Sequence, residues 1–168
     1  MRAFILRTFL KSLSDRLLND IRRMSFYADK KRLSGKFIRP FYTVLINYYH
    51  KKIYYKYSCD ITPSCQLGKV EFRHPLGIVI GGGAVLADGV IIHQNVTLGA
   101  LRFNAERRGV DCKQIIGRNT IICAGAKILG DVIIGENCII GANSVVTKNV
   151  PDNSVVVGFN NILTKNKD

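Results

Sequence analysis

At 168 residues the chain is long enough for one domain with a small appendage and a buried core, and it carries a net charge of +13. Five cysteines (Cys59, Cys65, Cys112, Cys123, Cys138) are odd in number and form no C-x-x-C pair, which argues against a disulfide framework or a zinc site and suits a reducing compartment. Nowhere do about eighteen apolar residues run together, so no membrane-spanning helix is expected.

The opening MRAFILRTFLKSL has its apolar run broken by arginine and lysine and lacks a small-residue cleavage site. It does not read as a signal peptide, and the protein reads as cytoplasmic. Residues 1–57 hold fourteen Lys or Arg against three Asp, a net of +11, and all seven tyrosines lie between Tyr27 and Tyr57. The remaining residues carry only +2, so the chain divides into a basic, tyrosine-rich head and a nearly neutral body.

Within the head, Phe4, Ile5, Phe9, Leu13, Leu17, Leu18, Ile21 and Met24 recur at three- and four-residue steps, which predicts an amphipathic helix. The stretch SLSDRLLND falls inside that pattern, and Gly35 with Pro40 marks its end. A second helix is expected over residues 40–55. Such a head can cap the body or a sister subunit with its charges solvated, or lie peripherally on the inner face of an anionic membrane. No nucleic-acid motif accompanies the charge, so nucleic acid is not the expected partner.

From Ile80 the body keeps a period of six. Ile80, Leu86, Ile92 and Leu98 share one modulus, which resumes at Ile116, Ile122, Ile128, Ile134, Ile140 and Val146. Mostly small or aliphatic residues stand two positions earlier. This is neither a helical period nor a simple alternation. It fits short strands joined by tight turns, each sending one aliphatic residue into a shared interior. Three hexads, about eighteen residues, make a triangular coil, and stacked coils pair as parallel strands.

The beat fails twice. Ile61 and Leu67 lie one residue off the later modulus, and Glu71-Phe72-Arg73-His74 occupies the slip. Residues 99–115 are polar, close to one coil in length, and read as an outward loop. Counting eighteen from His74 makes His93 its neighbour above, and the same count stacks Asn95 beneath Lys113. Two histidines, an amide and a basic loop are therefore expected on one edge.

Residues 58–158 are hexapeptide repeats and resemble the left-handed parallel β-helix acyltransferases. The resemblance implies a mainly β fold: a left-handed parallel β-helix with a short N-terminal helical segment, the loop at 99–115, and a tail at 159–168. HPLGIVIGGGAVLADGVIIHQNVTLG followed by AGAKILGDVIIGENCIIGANSVVTKNVP is most similar to the serine acetyltransferases and the related polysaccharide O-acetyltransferases. γ-Class carbonic anhydrases share the repeat but need three histidines around zinc; the body has only His74 and His93, so no metal is expected.

By that resemblance His74 is the general base that deprotonates an acceptor hydroxyl as it attacks acetyl-CoA, the co-substrate. An imidazole with an ordinary pKa of about 6.5 is suited to accept that proton near neutrality. Glu71, Asp88, Asp111 or a backbone carbonyl is the candidate for orienting the ring. Arg73, His93, Asn95 and Lys113 are assigned to the acceptor. Ala124, Gly125 and Ala142 match the small residues along the pantetheine arm, Thr147 and Lys148 those near the nucleotide end, and Lys165 a C-terminal basic contact. The family works as a homotrimer with sites between neighbours. Serine acetyltransferases carry an acidic residue where this chain has Arg73, an Arg-His pair near Cys112 and Lys113, and a longer N-terminal domain. A cationic pocket suits an acidic sugar, so a hydroxyl of a bacterial surface polysaccharide or its precursor is the expected acceptor. L-serine is the alternative, and a non-catalytic membrane- or partner-binding scaffold the second alternative.

Overall fold

The fold is that of a computed structural model, which describes residues 12–101 and 112–164. The expected start of the first helix at Phe4, the centre of the loop with Asp111, and Lys165 lie outside those residues.

Two helices precede the β-helix: α1 (Leu13–Leu33) and α2 (Arg39–Tyr57). The sequence pattern ran unbroken through SLSDRLLND, but the helix begins there instead. Ser12 adopts non-helical angles (φ −55°, ψ 157°), and its hydroxyl accepts the Asp15 N–H at 3.1 Å. A serine that caps one helix cannot also continue another, so the cap outweighs the periodicity. Pro40, near the start of α2, sits where its missing N–H costs no helical bond. Leu17, Ile21 and Met24 of α1 join Tyr49, Ile53 and Tyr57 of α2 in one buried cluster that is continuous with the first coil. Within it, Asp20 accepts from Lys52 Nζ at 2.8 Å and from the Tyr57 hydroxyl at 3.3 Å. The Ser14 hydroxyl accepts the Phe72 N–H at 3.0 Å, fastening α1 to the β-helix.

The body is a left-handed parallel β-helix with three faces. The first face stacks β1 (Asp60–Ile61), β4 (Val79–Ile80), β7 (Thr97–Gly99), β10 (Lys127–Leu129) and β13 (Val145–Val146). The second stacks β2 (Gln66–Leu67), β5 (Val85–Leu86), β8 (Gln114–Ile116) and β11 (Val132–Ile134). The third stacks β3 (Glu71–Phe72), β6 (Ile91–Ile92), β9 (Ile121–Ile122), β12 (Ile139–Ile140) and β14 (Ser154–Val157). The last strand, β15 (Asn161–Thr164), runs antiparallel to β14.

All ten aliphatic positions of the six-residue modulus are buried, and so are the positions two before them. The polar members of the second set bond to carbonyls: Thr120 Oγ1 to Gly135 O at 2.9 Å, Ser144 Oγ to Val156 O at 3.2 Å, and Gln114 Nε2 to Gly130 O at 2.6 Å. A small polar side chain can therefore line the interior without leaving its donor unpaired.

Register locates both irregularities. In the later coils partners are 18 apart, as in Ile122 with Ile140 and Ile128 with Val146. In the first coil Ile61 pairs with Ile80, a step of 19, and Phe72 with Ile92, a step of 20. The corner from Phe72 to Ile80 thus spans 8 residues where Ile92 to Leu98 spans 6, so it is two residues long. The excursion behaves differently from expectation. Leu98 pairs with Ile128 and Leu86 with Ile116, steps of 30, so it adds 12 residues to its coil rather than forming one. Twelve is two hexads, which is why the modulus survives it.

Candidate active site

His74 sits on the lengthened corner between the third and first faces, with φ +51°. The described non-glycine residues with positive φ are Ser58, His74 and six asparagines, a residue type that tolerates the left-handed region through its short polar side chain. Here a histidine takes that conformation, on a corner with two residues more than the next coil has. Such a backbone feature points to a role outside packing.

His74 lines a groove of about 600 Å³ between the N-terminal turn of α1 and β3, together with Ser12, Ser14, Asp15, Glu71 and Arg73 among others. Arg73 Nε donates to Glu71 Oε1 at 2.8 Å. Glu71 opens β3 and Arg73 directly follows that strand, so the two side chains lie close enough to pair. Half-exposed, the pair adds little stability, but it sets the local charge. With Asp15 present the groove holds two carboxylates and one guanidinium and lacks Lys113, so it is not the cationic pocket expected from Arg73 and Lys113. Asp15 is the residue that sequence reading missed here. Its Oδ2 accepts from the Ser12 hydroxyl at 2.9 Å, and the S-x-x-D spacing of a helix start was the available signal.

Among the described residues no side chain bonds the His74 ring. Glu71 is engaged by Arg73, and Asp88 accepts the Lys69 N–H at 2.7 Å at a different corner. Asp111 lies outside the described residues.

The structure separates the remaining residues into two groups. His93, Asn95, Ala124, Gly125 and Ala142 share the His74 corner in successive coils. Because the first coil steps by 20 at this edge, Arg73 rather than His74 stands opposite His93. Asn95 stacks on Gly77 and lies one coil from Gly125, not beneath Lys113. Its carbonyl accepts from Lys127 Nζ at 2.7 Å, a second residue missed by the sequence reading.

Lys113, Thr147 and Lys148 lie at the next corner, between the first and second faces, where the loop leaves and returns. The expected convergence of Lys113 with His74 on one edge is therefore not found. Equal counts of eighteen give height along the axis only where every coil is regular, and here the steps are 20 and 30. Lys113 N donates to Asp131 Oδ1 at 2.8 Å, and its side chain is exposed. Thr147 is engaged by Asn160: its N–H donates to Asn160 Oδ1 and its hydroxyl accepts from Asn160 Nδ2, both at 2.8 Å. Lys148 is exposed, and Lys165 lies outside the described residues. Gly125 has φ +74°, and a side chain there would meet Asn143 Oδ1, so the fold favours a glycine here whether or not a ligand binds. No three His, Cys, Asp or Glu side chains gather into a metal site among the described residues.

Residues 115–148 match the family model described as bacterial transferase hexapeptide (six repeats). A serine acetyltransferase of Staphylococcus aureus is 43% identical over 107 residues, covering 63% of this chain and 48% of the relative. Among solved structures, soybean serine acetyltransferase aligns with a TM-score of 0.71 and 33% identity over 87% of this chain and 55% of its own. The Brucella abortus serine acetyltransferase in complex with coenzyme A aligns with a TM-score of 0.73 and 31% identity over 86% of this chain and 53% of its own. The chain spans about half the length of the curated relatives it matches. The relatives' names carry serine, where the sequence pointed first to a sugar hydroxyl.

Proposed function

We propose that the chain is an acetyl-CoA-dependent O-acetyltransferase with His74 as general base and L-serine as the first acceptor to test. The observation that carries the reading is His74 itself, held in a left-handed conformation on the one β3–β4 corner that gains two residues, and lining a groove. The similarity to serine acetyltransferases, including one bound to coenzyme A, supports the donor and the acceptor.

In this reading the acceptor lies in the groove against α1. The Asp15 and Glu71 carboxylates suit an ammonium group, and Arg73 suits a carboxylate, so the lining matches the two charges of an amino acid. The imidazole takes the hydroxyl proton while the oxygen forms a bond to the thioester carbonyl carbon. The C–S bond then breaks, and the thiolate takes the proton from the imidazolium. Ala124 and Ala142, small residues beside the glycine at the same edge, would let the pantetheine arm run along the corner. Lys148 would face the nucleotide phosphates. Because His74 and Lys148 occupy different corners of one prism, a site that uses both is completed by a neighbouring copy, and a homotrimer supplies that geometry. Sedimentation at monomer mass would refute this arrangement.

The assay is thiol release from acetyl-CoA by the full chain with L-serine. His74→Ala should lower turnover by about 10²–10⁴-fold; turnover within a few-fold of the native chain sinks the assignment. Acidic sugars form the second arm, because Arg73 rather than a carboxylate stands immediately before His74. Release with sugars and none with serine would return the acceptor to the glycan class.

A further inference from the structure

The turn joining α1 to α2 is an unusual surface. Leu33 is 85% exposed, Phe37 99%, Ile38 53% and Phe41 61%. These four apolar side chains fall within nine residues, and they are held in a defined shape rather than trailing loosely. Ile38 N–H donates to Gly35 O at 3.1 Å, and Arg39 Nε donates to Ser34 O at 3.2 Å. Around them, residues 30–41 carry Lys30, Lys31, Arg32, Lys36 and Arg39 and no carboxylate. The adjacent Asp29 is 3.8 Å from Arg32. Lys31, Arg32 and Arg39 also line a groove of about 690 Å³, with Asp29, Ser64 and Gln66, where the helices meet the first coil.

Each candidate occupant makes a different demand on this surface. A symmetric contact with a second copy would set five cations against five, and lysine is depleted at protein interfaces for that reason. Nucleic acid would use the cations and could stack on the phenylalanines, but it offers nothing to Leu33 and Ile38. An anionic bilayer uses every feature: apolar side chains enter the boundary of the acyl chains while cations meet headgroups. Among the described residues no helix is long and apolar enough to span a membrane, so the contact is peripheral.

We propose that the α1–α2 turn is an anchor for an anionic membrane surface, with Phe37 at its apex and Leu33, Ile38 and Phe41 beside it. Lys30, Lys31, Arg32, Lys36 and Arg39 supply the attraction to acidic headgroups. This goes beyond the acetyl-transfer reading and does not depend on it.

The test is co-sedimentation of the full chain with phosphatidylcholine vesicles, with and without about one third phosphatidylglycerol, at low and high salt. Binding to the anionic vesicles that weakens on neutral vesicles and with salt is expected. Phe37→Asp should lower it about tenfold or more, because a charge replaces the deepest apolar group. A side chain 99% exposed packs against nothing, so this variant should keep the native circular dichroism and elution volume. Lys36→Glu should weaken binding on anionic vesicles alone. Failure of the native chain to bind, equal binding to neutral vesicles, or unchanged binding by Phe37→Asp overturns the proposal. A change in oligomeric mass on Phe37→Asp overturns it in favour of a second copy. None of these readouts involves acetyl transfer, so the outcome is separable from that of His74→Ala.

Discussion

Gly125→Ala separates what the fold requires of the candidate coenzyme edge from what a ligand would require. Gly125 has φ +74°, its N–H donates to Gln94 O at 2.9 Å, and Asn143 N–H donates to Ala124 O at 2.9 Å in the next coil. A methyl group at Gly125 meets Asn143 Oδ1. An L-residue in the left-handed region costs about 1–2 kcal/mol, and pushing Asn143 off its rotamer adds about 0.5–1.5 kcal/mol. The sum, about 2–3 kcal/mol, should lower the melting temperature by roughly 5–10 °C for a chain of this size. Asn143, itself at φ +56°, can be changed to glycine without a conformational penalty. In the Asn143→Gly background, Gly125→Ala should lose only the conformational part, leaving a coupling of about 1 kcal/mol between the two sites. Urea midpoints of the four proteins give the cycle, and calorimetry with coenzyme A is run alongside. An unmoved midpoint for Gly125→Ala refutes the stacking argument. Unchanged stability with weakened coenzyme binding would assign the glycine to the ligand instead.

Two further outcomes follow from the helical head. Asp20→Ala leaves Lys52 and the buried Tyr57 hydroxyl without their shared acceptor and should destabilise the chain by about 2–3 kcal/mol in urea melts; a loss under about 0.5 kcal/mol would show that the α1–α2 bond network carries no weight. Burial, reinforced by Asp20, pushes the Tyr57 phenol up from 10.0 to about 12, so folding favours its neutral form. The stability this contributes is fully present below about pH 10 and is lost as the pH rises toward 12. In an alkaline absorbance titration one of the seven tyrosines should ionise last, together with loss of helical circular dichroism; seven phenols titrating in one step near pH 10 would contradict this.

The β-helix was legible because its rule is local and repeated: ten positions on one modulus are ten buried side chains. The irregular corner that holds His74 was legible for the same reason, since a slip stands out only against a regular beat. What escaped was the corner each residue occupies. The slip read as one residue is one fewer between Leu67 and Phe72 and two more between Phe72 and Ile80, and only pairing register divides it so. Lys113 was placed beside His74 by assuming uniform coils, whereas the loop leaves from a neighbouring edge. Arg73 was read with Lys113 as a cationic pair, without its partner Glu71 two residues back, and Asp15 was passed over because its place in the groove depends on how α1 docks. The local spacings were there to be read, but only the docking of α1 against the first coil brings both charges into one groove.

The two ends of the prism differ from its middle. The first coil is covered by α1 and α2, and the last is closed by β15, which reverses direction against β14. Every interior coil is an acceptable surface for one more coil of the same kind, including one offered by a different molecule. A strand that runs backwards presents a ladder no parallel coil can match, and a pair of helices presents no ladder at all. The repeat that makes the scaffold easy to extend is thereby kept from stacking coil on coil into a fibre at these two faces.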